Sequence, residues 1–162
     1  MKVITQEISY ELFDNANELP VADRQLLQEA INASHNAYAP YSNFHVGAAV
    51  MMEDGKIVHG SNQENAAYPS GLCAERVAVF AAGSNYPGKK ITAIAITAMF
   101  EGTDKLLSVS PCGDCRQVMA EYEHRYQQNI RMIITGENGK VMVIPNTKTL
   151  LPLMFNSDNL KK

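Results

Sequence analysis

The sequence predicts an α/β protein, a three-layer α/β/α sandwich built on a mixed five-stranded sheet. Three observations lead there. Helical segments alternate with apolar strand-like runs, which places helices on the faces of a sheet. Two tight-turn pairs, Asp54-Gly55 and Asn138-Gly139, each join consecutive strands into an antiparallel hairpin. Two further helices start at cysteine-bearing segments, so that their first turns can meet on one side of the sheet.

Residues 3–10 alternate only in part, and read equally as an edge strand or as an arm. A first helix starts near Pro20, whose fixed φ suits a helix start, and stops before Pro40. It places Leu27, Ala30, Ile31, Ser34 and Tyr38 on one face. The apolar run 46–52 turns through Asp54-Gly55 into a second strand at 56–61. After an irregular stretch containing Asn62, Glu64 and Pro69, residues 73–82 hold good helix formers and few breakers, which sets Cys73 near a helix N-terminus. Residues 91–98 read as a buried strand, and Pro111 opens a helix running to Glu123 with cysteines in its first turn. The strands 130–135 and 141–144 close the sheet around Asn138-Gly139.

A chain of 162 residues, 46% hydrophobic and 19% charged, suits one well-packed core and is short for two domains. We expect a single domain over residues 1–162, with 1–19 as an N-terminal arm or edge strand and 156–162 as a polar tail. A net charge of -3 and a pI near 5.8 weigh against extensive phosphate-backbone contact. A small molecule is the expected partner, with no nucleic acid and no membrane. No apolar run approaches a bilayer span and no secretory leader is evident, so the cytoplasm is the expected location.

All three cysteines lie in two short segments, Cys73-Ala74-Glu75-Arg76 and Pro111-Cys112-Gly113-Asp114-Cys115-Arg116-Gln117. Three thiolates can hold one zinc ion and leave its fourth position open for water, the mark of a catalytic rather than a structural site. Zinc lowers the pKa of such a water from about 15.7 to roughly 7. Glu75, two residues beyond the first ligand, is placed to move protons to and from that water. A Glu beside a Pro-Cys-x-x-Cys segment is the signature of zinc deaminases, here with Cys73 where that signature has His. Three thiolates make the centre formally negative, and one or both of Arg76 and Arg116 are expected to offset this by donating to the sulfurs, with helix N-termini adding partial positive charge. The competing readings are three buried apolar cysteines and a Cys112/Cys115 redox pair. His35, His45, His59 and His124 fall outside both segments and are expected to be solvated or locally bonded.

The motifs Pro40-Tyr41-Ser42-Asn43-Phe44-His45-Val46-Gly47-Ala48-Ala49, Asn62-Gln63-Glu64-Asn65-Ala66, the two cysteine segments and Leu150-Leu151-Pro152-Leu153-Met154-Phe155 stand in one order. In this combination the chain resembles the cytidine deaminase family, in its small three-cysteine homotetrameric form. The resemblance runs from about Tyr38 to Phe155. It implies one Zn2+ per subunit on Cys73, Cys112 and Cys115, with Glu75 catalytic. It further implies substrate contacts from Phe44, Asn62, Gln63, Glu64 and Ala74, with Phe155 reaching the base from a neighbouring subunit. The implied reaction is hydrolytic deamination of cytidine and deoxycytidine, as in pyrimidine salvage. Residue type alone reads Asn62 and Glu64 as a polar loop, and Phe44 and Phe155 as core. In this reading the segment Glu101-Gly102-Thr103-Asp104 is an insertion relative to short members.

Two alternatives differ in observable ways. Nucleotide and nucleic-acid deaminases resemble folds with parallel final strands, which a two-residue turn cannot connect. A zinc module used only for folding would not need Glu75.

Overall fold

The computed structural model describes residues 1–160; Lys161 and Lys162 of the expected tail lie outside the described residues. Nine regular elements follow one another: β1 (Glu11–Phe13), α1 (Val21–Ser34), β2 (Phe44–Met52), β3 (Ile57–Ser61), α2 (Ala74–Asn85), β4 (Ile91–Phe100), α3 (Gly113–Tyr126), β5 (Arg131–Thr135) and β6 (Val141–Ile144). They form a mixed sheet of order β1-β6-β5-β4-β2-β3. Only β4 and β5 run parallel, and α3 supplies the crossover between them.

The α/β/α layering matches the expectation, and the strand count is corrected from five to six. Residues 3–10 form no strand; the added edge strand is Glu11–Phe13, antiparallel to β6 with Leu12 opposite Met142. The physical reason is local. The outer edge of β6 carries free backbone groups that a short extended segment satisfies, and Phe13 packs from it onto the α1-side core.

Side-chain alternation divides the core. Ala49, Ala93, Ala95 and Ile133 face α1, where Leu26, Leu27 and Ala30 cover them. Ala48, Val50, Ile94, Ile96, Met132 and Ile134 face α2 and α3, against Ala78, Val79, Cys115 and Met119. Central strands buried on both faces explain why β4 reads as an apolar run interrupted only by Thr92 and Thr97. Asp23 of α1 is buried and pairs with Arg131 at the start of β5, which fixes the helix against the sheet.

One close approach positions α2. Gly60 of β3 lies under its first turn: a Cβ there would fall 2.4 Å from the Ala74 carbonyl oxygen and 2.5 Å from Ala78 N. The absence of a side chain lets the helix start sit directly on the strand. The second hairpin is antiparallel as predicted, with Asn138 and Gly139 both left-handed (φ 56° and 81°) and Lys140 N donating to Glu137 O at 3.1 Å.

Candidate active site

The first turns of α2 and α3 bring the three cysteines together. Cys73 occupies the N-cap of α2, Cys112 the N-cap of α3, and Cys115 lies buried in the first turn of α3. The helix therefore begins at Gly113, two residues later than Pro111 suggests. Both N-termini direct partial positive charge at the sulfurs.

All three Sγ atoms lie within 4.8 Å of one another, with Cys73 to Cys112 at 3.8 Å and Cys112 to Cys115 at 3.5 Å. A tetrahedral zinc with Zn–S bonds of about 2.3 Å separates its sulfurs by roughly 3.8 Å. The donor set thus fits one zinc ion with little rearrangement, and no histidine belongs to it. His59 instead meets Glu29, and His124 meets Asp158.

The hydrogen bond with Cys115, then that from Arg76, draws the Cys73 thiol down to about 5, the range in which it binds metal as thiolate. The same contact with Cys73, together with burial, pushes the Cys115 thiol up, so in metal-free protein the first charge resides on Cys73.

The two arginines part company. Arg76 Nη2 donates to Cys73 Sγ at 3.8 Å, and Nη1 lies 3.9 Å from Asp114. Arg116 makes no such contact: its Nε donates to Pro111 O at 2.8 Å and its Nη1 to Leu150 O at 3.0 Å. Arg76 stands three positions after Cys73, on the same helix face. Arg116 stands four after Cys112 and one after Cys115, but its guanidinium is taken up by the Pro111 and Leu150 carbonyls.

Beside the sulfurs opens a cavity of about 730 Å³. Glu75 lines it while only 5% exposed, and burial, followed by the charge on Cys73, holds its carboxyl above the usual carboxylate range. Phe44, Asn62, Gln63 and Glu64 line the opposite wall. Ala74 is fully buried at the start of α2, and Phe155 is 56% exposed and not among the residues lining the cavity of its own chain.

The polar wall is more tightly built than a loop. Asn62 extends the β2–β3 ladder with its side chain, taking Val46 N at 2.8 Å and donating to Phe44 O at 2.9 Å. Gln63 pairs with Leu72 through both backbone groups at 2.9 Å and donates from its side chain to Ser61 Oγ at 3.2 Å. Glu64 accepts from Tyr41 N at 2.9 Å, Ser42 N at 3.3 Å and the Ser42 hydroxyl at 2.6 Å. Those bonds, the hydroxyl's first, hold its carboxyl below the usual range. Sequence reasoning assigned Ser42 no role. The available signal was a serine two residues before Phe44, whose hydroxyl also takes Phe44 N at 3.0 Å.

A sandwich in which two helix starts gather three thiols beside a cavity lined by a buried carboxyl defines a zinc-binding deaminase. The comparison with known families agrees: residues 20–129 match the model described as the cytidine and deoxycytidylate deaminase zinc-binding region. The chain belongs to this family. It is 52% identical over 140 residues to the cytidine deaminase of Halalkalibacterium halodurans, covering 85% of this chain and 98% of that one. Among solved structures, the cytidine deaminase from Burkholderia pseudomallei superposes with a TM-score of 0.69 at 41% identity, over 81% of this chain and 97% of that one. That from Mycobacterium tuberculosis gives 0.63 at 34% identity, over 81% and 94%. No helix among the described residues is long and apolar enough to cross a membrane.

Proposed function

We propose that the protein deaminates cytidine and deoxycytidine hydrolytically, giving uridine or deoxyuridine and ammonia, in cytoplasmic pyrimidine salvage. The observation that carries this is that Glu75, a buried carboxyl with a raised pKa, lines one cavity together with Asn62, Glu64 and two of the three clustered cysteines, Cys73 and Cys112. Zinc, held by Cys73, Cys112 and Cys115, would supply the Lewis acidity that makes a water nucleophilic at neutral pH. Glu75 takes a proton from the attacking water and delivers it to N3 of the cytosine ring, then takes the proton of the new C4 hydroxyl and passes it to the amine as the C4–N bond breaks. A carboxyl kept above its ordinary range both accepts and returns protons near neutrality.

Phe44 supplies an aromatic wall for the base. Glu64 and Asn62 present an acceptor and an amide toward the sugar hydroxyls, with the Tyr41-Ser42 backbone holding Glu64 in place. Gln63, on the cavity lining, and Ala74, buried at the start of α2, are further substrate contacts in this reading. Phe155 completes the pocket of a neighbouring subunit in a homotetramer, which its exposure and its absence from its own cavity lining support.

The test is the ultraviolet absorbance change on mixing zinc-loaded protein with cytidine, deoxycytidine, cytosine, deoxycytidylate and adenosine in parallel, with Glu75→Ala as control. Conversion of the two nucleosides by wild type alone is expected. Silence on both with zinc fully bound overturns the substrate assignment.

A further inference from the structure

The last stretch of the chain is tied along α3 from one end to the other. At the C-terminal end of α3, the buried Glu123 carboxylate accepts from Thr147 N at 2.8 Å, and from Ile130 N at 2.7 Å through the same oxygen. Two turns nearer the metal ligands, Arg116 Nη1 donates to Leu150 O at 3.0 Å while its Nε holds Pro111 O. Beside it, Gln117 Nε2 donates to Phe155 O at 2.8 Å. Between these last two tethers the chain makes a turn that an L side chain rarely adopts, with Leu153 left-handed at φ 56° and its side chain 95% exposed.

This pattern differs from that of a packed tail. Leu150 packs against the core, but the side chains of Leu153 and Phe155 are left outside, so that toward Phe155 the segment is held by side-chain donors to two of its carbonyls. A sharp turn held from both sides presents the next aromatic side chain outward in one orientation. Neither Arg116 nor Gln117 lines the cavity.

We propose that Arg116 and Gln117 are positioning residues for Phe155, fixing a C-terminal strap so that this ring meets the nucleoside pocket of an adjacent subunit. Phe155 has that pocket to complete only if the deaminase reading above holds. The arrangement also makes α3 bifunctional, with its first turn serving its own metal site and the next residues serving a neighbour's pocket.

The test uses the full-length, zinc-loaded protein and two isosteric variants that remove the donors, Gln117→Met and Arg116→Met. Steady-state kinetics on cytidine should show KM raised about three- to tenfold for Gln117→Met, with kcat within about twofold, zinc at one per chain and an unchanged oligomer. Phe155→Ala should raise KM at least as much, and adding Gln117→Met to it should change nothing further. Gln117→Lys, which keeps an N–H donor, should recover most of the loss. Multiplicative effects of Gln117→Met and Phe155→Ala, or a wild-type KM in Gln117→Met, overturn the proposal.

Hydrogen–deuterium exchange separates this outcome from failure of the substrate reading. Peptides spanning residues 150–156 should exchange at least severalfold faster in both variants whether or not cytidine is turned over. Unchanged exchange there in both variants shows that the tethers do not hold the strap, and overturns the proposal even if cytidine is the substrate. Faster exchange in a protein inert toward cytidine would leave the strap without its function, and so overturn the positioning role through the substrate reading instead.

Discussion

The Ser42 hydroxyl donates to Glu64 Oε1 at 2.6 Å, joining the loop before β2 to the loop after β3. The same carboxylate caps the Tyr41 and Ser42 amides through its other oxygen. Glu64 is thereby oriented before any ligand arrives, which reduces the ordering cost of binding a sugar hydroxyl.

Ser42→Ala should therefore act on binding. We expect KM for cytidine to rise roughly tenfold with kcat within about twofold, as for loss of one hydrogen bond to a charged group. The pH dependence has a definite sign. Glu64 is depressed chiefly by the Ser42 hydroxyl, so its contribution is present above the ordinary carboxylate value and is lost as pH falls through the lower folded value. In Ser42→Ala that loss moves to higher pH. An identical acid limb of the KM profile in the two proteins would contradict this.

Arg76→Ala removes the one guanidinium that reaches a thiolate. A neighbour of this kind is worth about 10- to 100-fold in metal affinity. Competition for zinc against a chromogenic chelator should show a loss of that order, and zinc affinity equal to wild type would show that the helix N-termini alone stabilise the centre.

Much of the architecture was legible because local rules and tertiary demands coincide. The turn pairs at Asp54-Gly55 and Asn138-Gly139, and the good helix formers after Cys73, leave few other solutions. The failures have a common physical origin, since they concern pairings between distant segments. Residues 3–10 alternate, yet the sheet edge is taken by Glu11–Phe13, because register with β6 decides and the local pattern does not. Arg116 adjoins a cysteine in sequence but donates to Leu150 O, a partner 34 residues away that no local spacing reveals. The Ser42–Glu64 bond spans two loops and has no signature in either.

Glu75→Gln should separate activity from stability. Turnover is expected to fall by at least about 10²-fold, with zinc still at one per chain. Burial raises the Glu75 carboxyl, so relative to an ordinary glutamate it favours folding below the unfolded carboxylate value, and that advantage is lost as pH rises through the folded value. At neutral pH the native residue thus weakens the metal-free fold, and the amide relieves this. Metal-free Glu75→Gln should melt about 2–4 °C above metal-free wild type at pH 7, with the gap closing toward pH 4. A lower Tm for the variant at pH 7 would show that the ionised carboxyl is satisfied inside the cavity.

Gly60→Ala tests whether the metal site depends on the close seating of α2 on β3. The added Cβ would meet backbone atoms, Ala74 O at 2.4 Å and Ala78 N at 2.5 Å, which no rotamer change can clear. The helix start must lift, at a cost of about 1–3 kcal/mol for overpacking a filled core. Because Cys73 is the N-cap of that helix, the same displacement carries its sulfur away from Cys112, now 3.8 Å distant. Zinc affinity should then fall together with Tm. Gly55→Ala makes a control, since nothing lies within 4 Å of its Cβ position and its cost arises from a left-handed turn alone. It should lower Tm while leaving zinc affinity within about twofold, because the hairpin tip meets α2 at its C-cap, Tyr86, the opposite end of that helix from Cys73. Equal losses of zinc affinity in the two variants would mean that the centre responds to global stability, and that the seating of α2 has no special part in building it.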